Sequence, residues 1–224
     1  MPGLIKICGV KSVETGVAAA KAGADLIGFV FVQKSPRYIA PEAAEELVTE
    51  IKRACEDLGF DAPHFVGLFI DAGERLLAEA APFLSHFQFH GHEDAERVAE
   101  IGAEFGVEMI KALPVGSADD FAAAAAFEDA ADILLFDAKA PAGAALPGGN
   151  GAAFDWSLLQ HYRGTTPFLL AGGLDETNVE AAIAAAKANE AFTGVDVSSG
   201  IEVRPGVKDP SRIAAFVAAA RRAL

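Results

Sequence analysis

Two residues in this chain are placed for proton transfer. Cys8 closes the run Leu4-Ile5-Lys6-Ile7-Cys8-Gly9, and Asp137 closes Ile133-Leu134-Leu135-Phe136. A thiolate can act as a base, and a carboxyl kept neutral by burial or nearby negative charge can act as an acid. Neither is decisive alone. Most free cysteines are small buried hydrophobes. An aspartate after an apolar run can cap a helix, but a long stretch rich in Gly, Ala and Pro follows this one, which argues against a cap. On an extended strand Lys6 and Cys8 leave from the same face, so the ammonium is a neighbour that would favour the thiolate. Asp196, in Gly194-Val195-Asp196-Val197, is expected to face the same interior and to balance Lys6.

Such groups need a scaffold, and the rhythm of the chain supplies one. Short β-rich runs alternate with longer Ala-rich helical segments. The runs are Leu4–Val10, Leu26–Val32, His64–Ile70, Phe87–His90, Val107–Ala112, Ile133–Asp137, Phe168–Leu170 and Gly194–Val197. The helical segments are Val13–Ala22, Pro41–Leu58, Glu74–Ala81, Asp94–Phe105, Asp119–Phe127, Phe154–His161, Asn178–Ala188 and Ser211–Leu224. Continuously apolar strands imply a parallel sheet buried on both faces. Repeated βα units at this length predict a single α/β domain over 1–224, a closed (β/α)8 barrel. An open doubly wound sheet would use fewer strands, and no Gly-x-Gly-x-x-Gly follows the first. Ser12 and the Asp209-Pro210 pair mark helix starts. Ala138 to Ala153 breaks the rhythm and is read as a mobile loop over the active site.

A barrel puts its active site at the carboxyl ends of its strands. That gathers Cys8, Arg37, Asp71, Gln88, His90, Asp137 and Asp196 on one face. Gly172-Gly173, after the seventh strand, and Ser198-Ser199-Gly200, after the eighth, read together as a phosphate site. Glycines let backbone N–H groups approach an anion, and a short helix opening at the serines attracts negative charge. Arg37 suits a planar carboxylate, or is a solvated loop arginine. His90 either lines the pocket or is a satisfied strand-end histidine. His90-Gly91-His92 supplies two candidate metal ligands, but two ligands do not make a site, and no metal is expected. Cys55 reads as packing, Trp156 as an anchor for its helix, and His64, His86 and His161 show no partner spacing.

The bulk properties narrow the partners. Eighteen basic against thirty-two acidic residues give a formal charge of −14. That argues against nucleic acid and anionic membranes, both of which need a basic patch. No apolar run is long enough for a membrane span. Met1-Pro2-Gly3 leads straight into a strand, so no signal peptide is expected, and two cysteines without a CxxC suggest a reducing cytoplasm. The helices show no exposed apolar stripe, so a monomer is expected.

The ordered motifs carry a resemblance. Lys6-Ile7-Cys8-Gly9, Gly28-Phe29-Val30-Phe31 with Ser35-Pro36-Arg37-Tyr38, Gln88-Phe89-His90-Gly91, Phe136-Asp137, Phe154-Asp155-Trp156, Ala171-Gly172-Gly173-Leu174 and Gly194 to Glu202 resemble the phosphoribosylanthranilate isomerase family of tryptophan biosynthesis. The resemblance implies a (β/α)8 barrel and an Amadori rearrangement of a phosphosugar, with no metal or redox cofactor. Cys8 would be the base, Asp137 the acid, and Arg37 a substrate contact, with the Gly172 and Ser199 loops on the phosphate. Phe89 departs from the family's usual aliphatic residue, and Gly148-Gly149-Asn150-Gly151 from its usual Thr before the last Gly. The base must be at least partly thiolate against a free-thiol value near ~8.5. Two rivals on the same scaffold are the histidine-pathway aminoaldose isomerase, which would need a second phosphate site in the first half, and a metal-dependent hydrolase. A barrel serving only as a binding or fusion partner is a third.

Overall fold

The computed structural model describes residues 3–140, 148 and 153–224. Most of the Ala138–Ala153 loop therefore lies outside the described residues. Eight parallel strands close into a barrel in chain order. They are β1 Leu4–Cys8, β2 Leu26–Val30, β3 His64–Phe69, β4 His86–Phe89, β5 Glu108–Val115, β6 Ile133–Ala138, β7 Phe168–Leu170 and β8 Phe192–Val197. Among the described residues six α-helices lie between and after them: α1 Val13–Ala22, α2 Pro41–Leu58, α3 Glu74–Ala80, α4 Ala95–Phe105, α5 Val179–Ala186 and α6 Pro210–Ala223.

Strand periodicity divides the core into two layers. Leu26, Val66, Ile110, Ala112, Ile133, Leu135, Leu169 and Ala171 point inwards and fill the barrel. Their neighbours Ile5, Ile7, Phe29, Phe65, Phe87, Phe136 and Phe168 point outwards into the helical coat. The helices answer with stripes at helical spacing: α2 buries Ala44, Leu47, Val48, Ile51 and Cys55. Each fully buried Leu or Ile there contributes about 1.5–3 kcal/mol. Ser12 caps α1 by accepting from Thr15 N, and Asp209 caps α6 ahead of Pro210.

The structure departs from the sequence reading in local ways. β1 stops at Cys8 because Gly9 turns the chain, and the Gly9 and Val10 amides both donate to the Gly28 carbonyl (2.8 and 3.1 Å). β5 runs on to Val115, with Pro114 tolerated at its exposed rim. The segments after β5 and β6 contain 3-10 helices, Ala118–Phe127 and Trp156–His161. At the entry to the first, Asp120 Oδ2 gathers Gly116 N, Ser117 N and Ser117 Oγ into a tight turn. A hairpin that periodicity did not announce, β9 Glu202–Arg204 with β10 Val207–Lys208, follows the barrel's last strand. It sets Lys208 beside Glu202.

Candidate active site

Strand parity places Lys6, Cys8, Gln88, Asp137 and Asp196 inside the barrel, and their strand ends open on one cavity. That cavity, mouth included, is about 820 Å³. Cys8, Arg37, His90, Asp137, Gly172, Gly173, Asp196, Ser198 and Ser199 all line it. Gly200 does not. It packs behind, where a Cβ would lie 1.9 Å from the Leu174 carbonyl oxygen. The β8 loop is thus pressed against the β7 loop, as two halves of one anion cradle would require. Gly172 and Gly173 both hold left-handed φ (86° and 63°), which side-chain-bearing residues rarely adopt. Asn178 Nδ2 pins the second by donating to its carbonyl (2.8 Å).

Cys8 is buried, and Gly28 faces it across the β1–β2 register. A Cβ on Gly28 would stand 3.1 Å from the Cys8 sulfur and 3.4 Å from Lys6 Nζ, so the glycine leaves room for both. Lys6 and Asp196 are register partners on β1 and β8 and form the expected pair at 2.6 Å, with Lys6 fully buried. Burial works against the Lys6 charge, but Asp196 and then Cys8 outweigh it, and its pKa is raised. Lys6 favours the thiolate as expected, but it is outweighed. Burial is the largest influence and pushes Cys8 up from 9.0; Lys6 and Lys208 pull it down, Asp196 adds to the rise, and burial wins. Burial thus favours the neutral thiol.

Asp137 meets its requirement. Burial first, and the Asp196 charge second, raise it from 3.8 to about 7, against the Ala138 N–H that donates to Oδ1 and the more distant Lys6. His90 Nε2 stands 3.5 Å from Asp137 Oδ2. Burial lowers His90 to about 4, so it meets the carboxyl as a neutral imidazole. His92 goes the other way: it is exposed and bound to Asp71 Oδ2 (2.9 Å). The two histidines of the His-Gly-His run therefore point apart, and no group of three or more His, Cys, Asp or Glu among the described residues is arranged to hold a metal.

Sequence reasoning missed one network. Arg37 grips Glu202 with two bonds, Nε to Oε1 (2.8 Å) and an Nη to Oε2 (2.9 Å). Lys208 Nζ reaches the same Glu202 (2.9 Å) and donates to the Ser198 carbonyl (2.8 Å). Ser198 Oγ donates to the Cys8 carbonyl (3.1 Å). The Ser198 hydroxyl is therefore committed to holding the β8 loop on the end of β1, and its backbone N–H is what it has left to offer an anion. Lys208 sits ten residues beyond the Ser-Ser motif, and only the hairpin returns it; nothing in its local spacing marks it.

A buried thiol and a buried carboxyl on one barrel mouth, with glycine–serine loops beside them, are what an acid–base enzyme acting on a small phosphorylated molecule would require. Comparison with known proteins narrows that class. The family model described as N-(5'phosphoribosyl)anthranilate (PRA) isomerase matches residues 5–219. An N-(5'-phosphoribosyl)anthranilate isomerase of Rhodospirillum rubrum is 48% identical over 220 residues, covering 97% of each chain. One from Rhodospirillum centenum is 45% identical over 225 residues, covering 98% of this chain and 99% of the relative. The crystal structure of the Thermotoga maritima phosphoribosyl anthranilate isomerase superposes with a TM-score of 0.81 at 33% identity, over 98% of this chain and 99% of that one. A further crystal structure, solved with reduced 1-(o-carboxyphenylamino)-1-deoxyribulose 5-phosphate, gives 0.78 at 30% identity, over 98% and 99%. The chain belongs to the N-(5'-phosphoribosyl)anthranilate isomerase family. Its reaction is the Amadori rearrangement of N-(5-phosphoribosyl)anthranilate to 1-(2-carboxyphenylamino)-1-deoxyribulose 5-phosphate, in tryptophan biosynthesis.

Proposed function

We propose that Asp137 and Cys8 carry this rearrangement as acid and base. Asp137 protonates the ribose ring oxygen, and the ring opens to a protonated Schiff base between C1′ and the anthranilate nitrogen. Cys8, as thiolate, removes the C2′ proton, and the resulting enolamine tautomerises to the aminoketose. Protons alone move, so the step needs groups of opposite protonation on either side of the sugar. The observation that carries this reading is a carboxyl that ionises at about 7, facing the cavity that Cys8 also lines. The thiol is raised at rest, so the thiolate belongs to the minor arrangement in which the pair's single proton sits on Asp137. Lys6 and Lys208 are the cations within its reach that lower the cost.

The rest of the cavity suits the substrate's two ends. Val30, Val32, Leu68 and Ile70 form an apolar wall that fits the anthranilate ring, with Arg37 on the rim for its carboxylate. Gly172, Gly173, Ser198 and Ser199 frame the opposite rim, with Gly200 packed behind them, and we assign the 5′-phosphate to the backbone N–H groups of those four. Asp196 acts through Lys6. The histidine-pathway rival needs an anion site after β3 or β4. There the Asp71 and Gly91 amides already serve Glu93, and the His92 amide serves Asp71 (2.7, 3.0 and 2.6 Å). Those carboxylates occupy the donors and would repel a phosphate.

We further propose that 1–224 acts as one domain and as a monomer in a reducing cytoplasm. Both described cysteines are unpaired, which suits such a compartment. Among the described residues the exposed large hydrophobic side chains are Leu58, Val203 and Val207. A Thermotoga maritima relative is described as dimeric, so sedimentation of the purified chain decides the point. The activity test is turnover of N-(5-phosphoribosyl)anthranilate by wild type, Cys8→Ala and Asp137→Asn. A variant that keeps wild-type kcat removes that residue from its role.

A further inference from the structure

One side chain in the cavity has no role in the chemistry above, and its oxygen has no hydrogen-bond partner among the described residues. Gln88 lies on β4, two residues before His90 and on the same face. It is 1% exposed, and its side-chain oxygen has no hydrogen-bond partner. It lines the same cavity as Cys8 and Asp137. Its register neighbours are Leu68 on β3 and Ile110 on β5, both apolar. The side-chain oxygen thus stands unpaired where Leu68, Val30 and Ile70 make the wall hydrophobic.

Leaving a buried amide unpaired is costly, because the group has given up water without gaining a partner. A leucine or methionine would fill the same space without that cost. The structure therefore assigns Gln88 a partner that arrives with the substrate, and we propose that this partner is a ribosyl hydroxyl. Gln88 is then a binding residue that holds the sugar between the acid and the base. The assignment rests on the reading of this cavity as the substrate site.

The chemistry favours a hydroxyl over the substrate's other groups. A primary amide can present an oxygen or an N–H to the same point, and a hydroxyl can answer either. The anthranilate carboxylate and the phosphate are anions, better matched by Arg37 and by backbone N–H groups than by a neutral amide. The aromatic ring offers the amide nothing and belongs on the apolar wall. The sugar is also the part whose position decides whether the ring oxygen meets Asp137 and C2′ meets Cys8. An amide fixed on a strand is a rigid stop for it.

Two ligands separate this contact from a packing role. One is reduced 1-(o-carboxyphenylamino)-1-deoxyribulose 5-phosphate, which keeps the sugar hydroxyls. The other is 5-(2-carboxyphenylamino)pentyl phosphate, which keeps the anthranilate and the phosphate but has none. Calorimetry is run on wild type and Gln88→Met, with Gln88→Leu as the second variant should the first not fold. The expected result is about tenfold weaker binding of the hydroxylated ligand and about unchanged binding of the other. In the free protein, the same substitution should raise Tm by ~3 °C, because it removes an unpaired polar group from the core. Equal weakening of both ligands, or of neither, overturns the proposal. So does a Tm that falls, since the amide would then be satisfied within the protein. Wild type failing to bind the hydroxylated ligand would instead overturn the reading of the cavity itself.

Discussion

Strand β4 brings a histidine to each mouth of the barrel, and each meets a carboxylate. At the amino end His86 Nε2 stands 3.0 Å from Glu108 Oε2, and its Nδ1 is 2.7 Å from Ser85 Oγ. At the carboxyl end His90 Nε2 stands 3.5 Å from Asp137 Oδ2. By connectivity the first resembles a catalytic triad more than the second does. Yet the Glu108 side chain is 62% exposed while that of Asp137 is 11% exposed, and neither His86, Ser85 nor Glu108 lines the cavity. Water around Glu108 keeps its charge cheap, and the pair serves as a clip between β4 and β5. Around Asp137 there is little water, so the carboxyl stays protonated towards neutrality. Chemistry follows from what surrounds the pair rather than from the pair itself.

The largest effect should come from removing the groups at the dry mouth. Cys8→Ala and Asp137→Asn are each expected to lower kcat by ~10³-fold, within the range for a lost acid or base. Binding of the reduced product analogue should hold, because neither side chain is assigned to grip the substrate. Glu108→Gln, the same kind of change at the wet mouth, should leave kcat unaltered. A fall in kcat for Glu108→Gln comparable to that for Asp137→Asn would erase the contrast between the two ends.

Next is pH, where the sign needs care. On the proposed assignment, the active form has a proton on Asp137 and none on Cys8. Asp137 ionises at about 7, whereas the thiol is raised above 9.0, so the acid is the stronger of the two. The active arrangement is then a minor, constant fraction of the singly protonated pair. That pair forms as pH rises through about 7, so kcat/KM should rise there and fall only beyond the ordinary thiol range. Loss of activity through 7 would mean that Cys8 ionises before Asp137. Stability moves oppositely. Between 3.8 and about 7 the folded protein holds a proton that the unfolded chain has released, so stability falls as pH rises through that window. The fall is at most about 4 kcal/mol, and Asp137→Asn should abolish it, which urea denaturation at pH 4 and pH 8 would show.

The two mouths were not equally legible in the sequence. Asp137 and Cys8 end apolar runs, so parity alone turned them inwards, and β-strand order put them on one face. The Lys6–Asp196 pair followed from the same parity. His86 gave no signal, because its partner Glu108 lies on the next strand and only the barrel's register brings them together. Lys208 was silent for a similar reason, as the β9–β10 hairpin is what returns it to Ser198. The thiol's net upward shift is not legible, because spacing shows the lysine beside Cys8 but does not show how deeply the sulfur is buried. Patterns of alternation reveal which way a side chain points; desolvation depends on everything packed about it.

A smaller effect is expected at His90. Its neutral ring helps to keep water from Asp137, so His90→Ala should let solvent in and bring the acid's pKa down. The rising arm of the pH profile should move below 7, with kcat reduced by about tenfold, less than the ~10²–10⁴-fold expected for losing the acid itself. An unmoved arm would reduce His90 to a wall of the pocket.

The smallest effect on catalysis belongs to His86, and it completes the contrast. His86→Asn removes the links to Ser85 and Glu108 but touches nothing that lines the cavity. The loss of two partly exposed contacts should cost about 1 kcal/mol and lower Tm by ~2–4 °C, with kcat and KM unchanged. Burial holds the His86 pKa below its ordinary 6.5 even though Glu108 pulls it up. Protonating it therefore costs the fold, and wild-type stability should decline as pH falls through that histidine's range; the decline should be missing in His86→Asn. If His86→Asn instead changed kcat while leaving Tm alone, the amino-end pair would be working on the chemistry from across the barrel, and exposure of the carboxylate would no longer separate a clip from a catalyst.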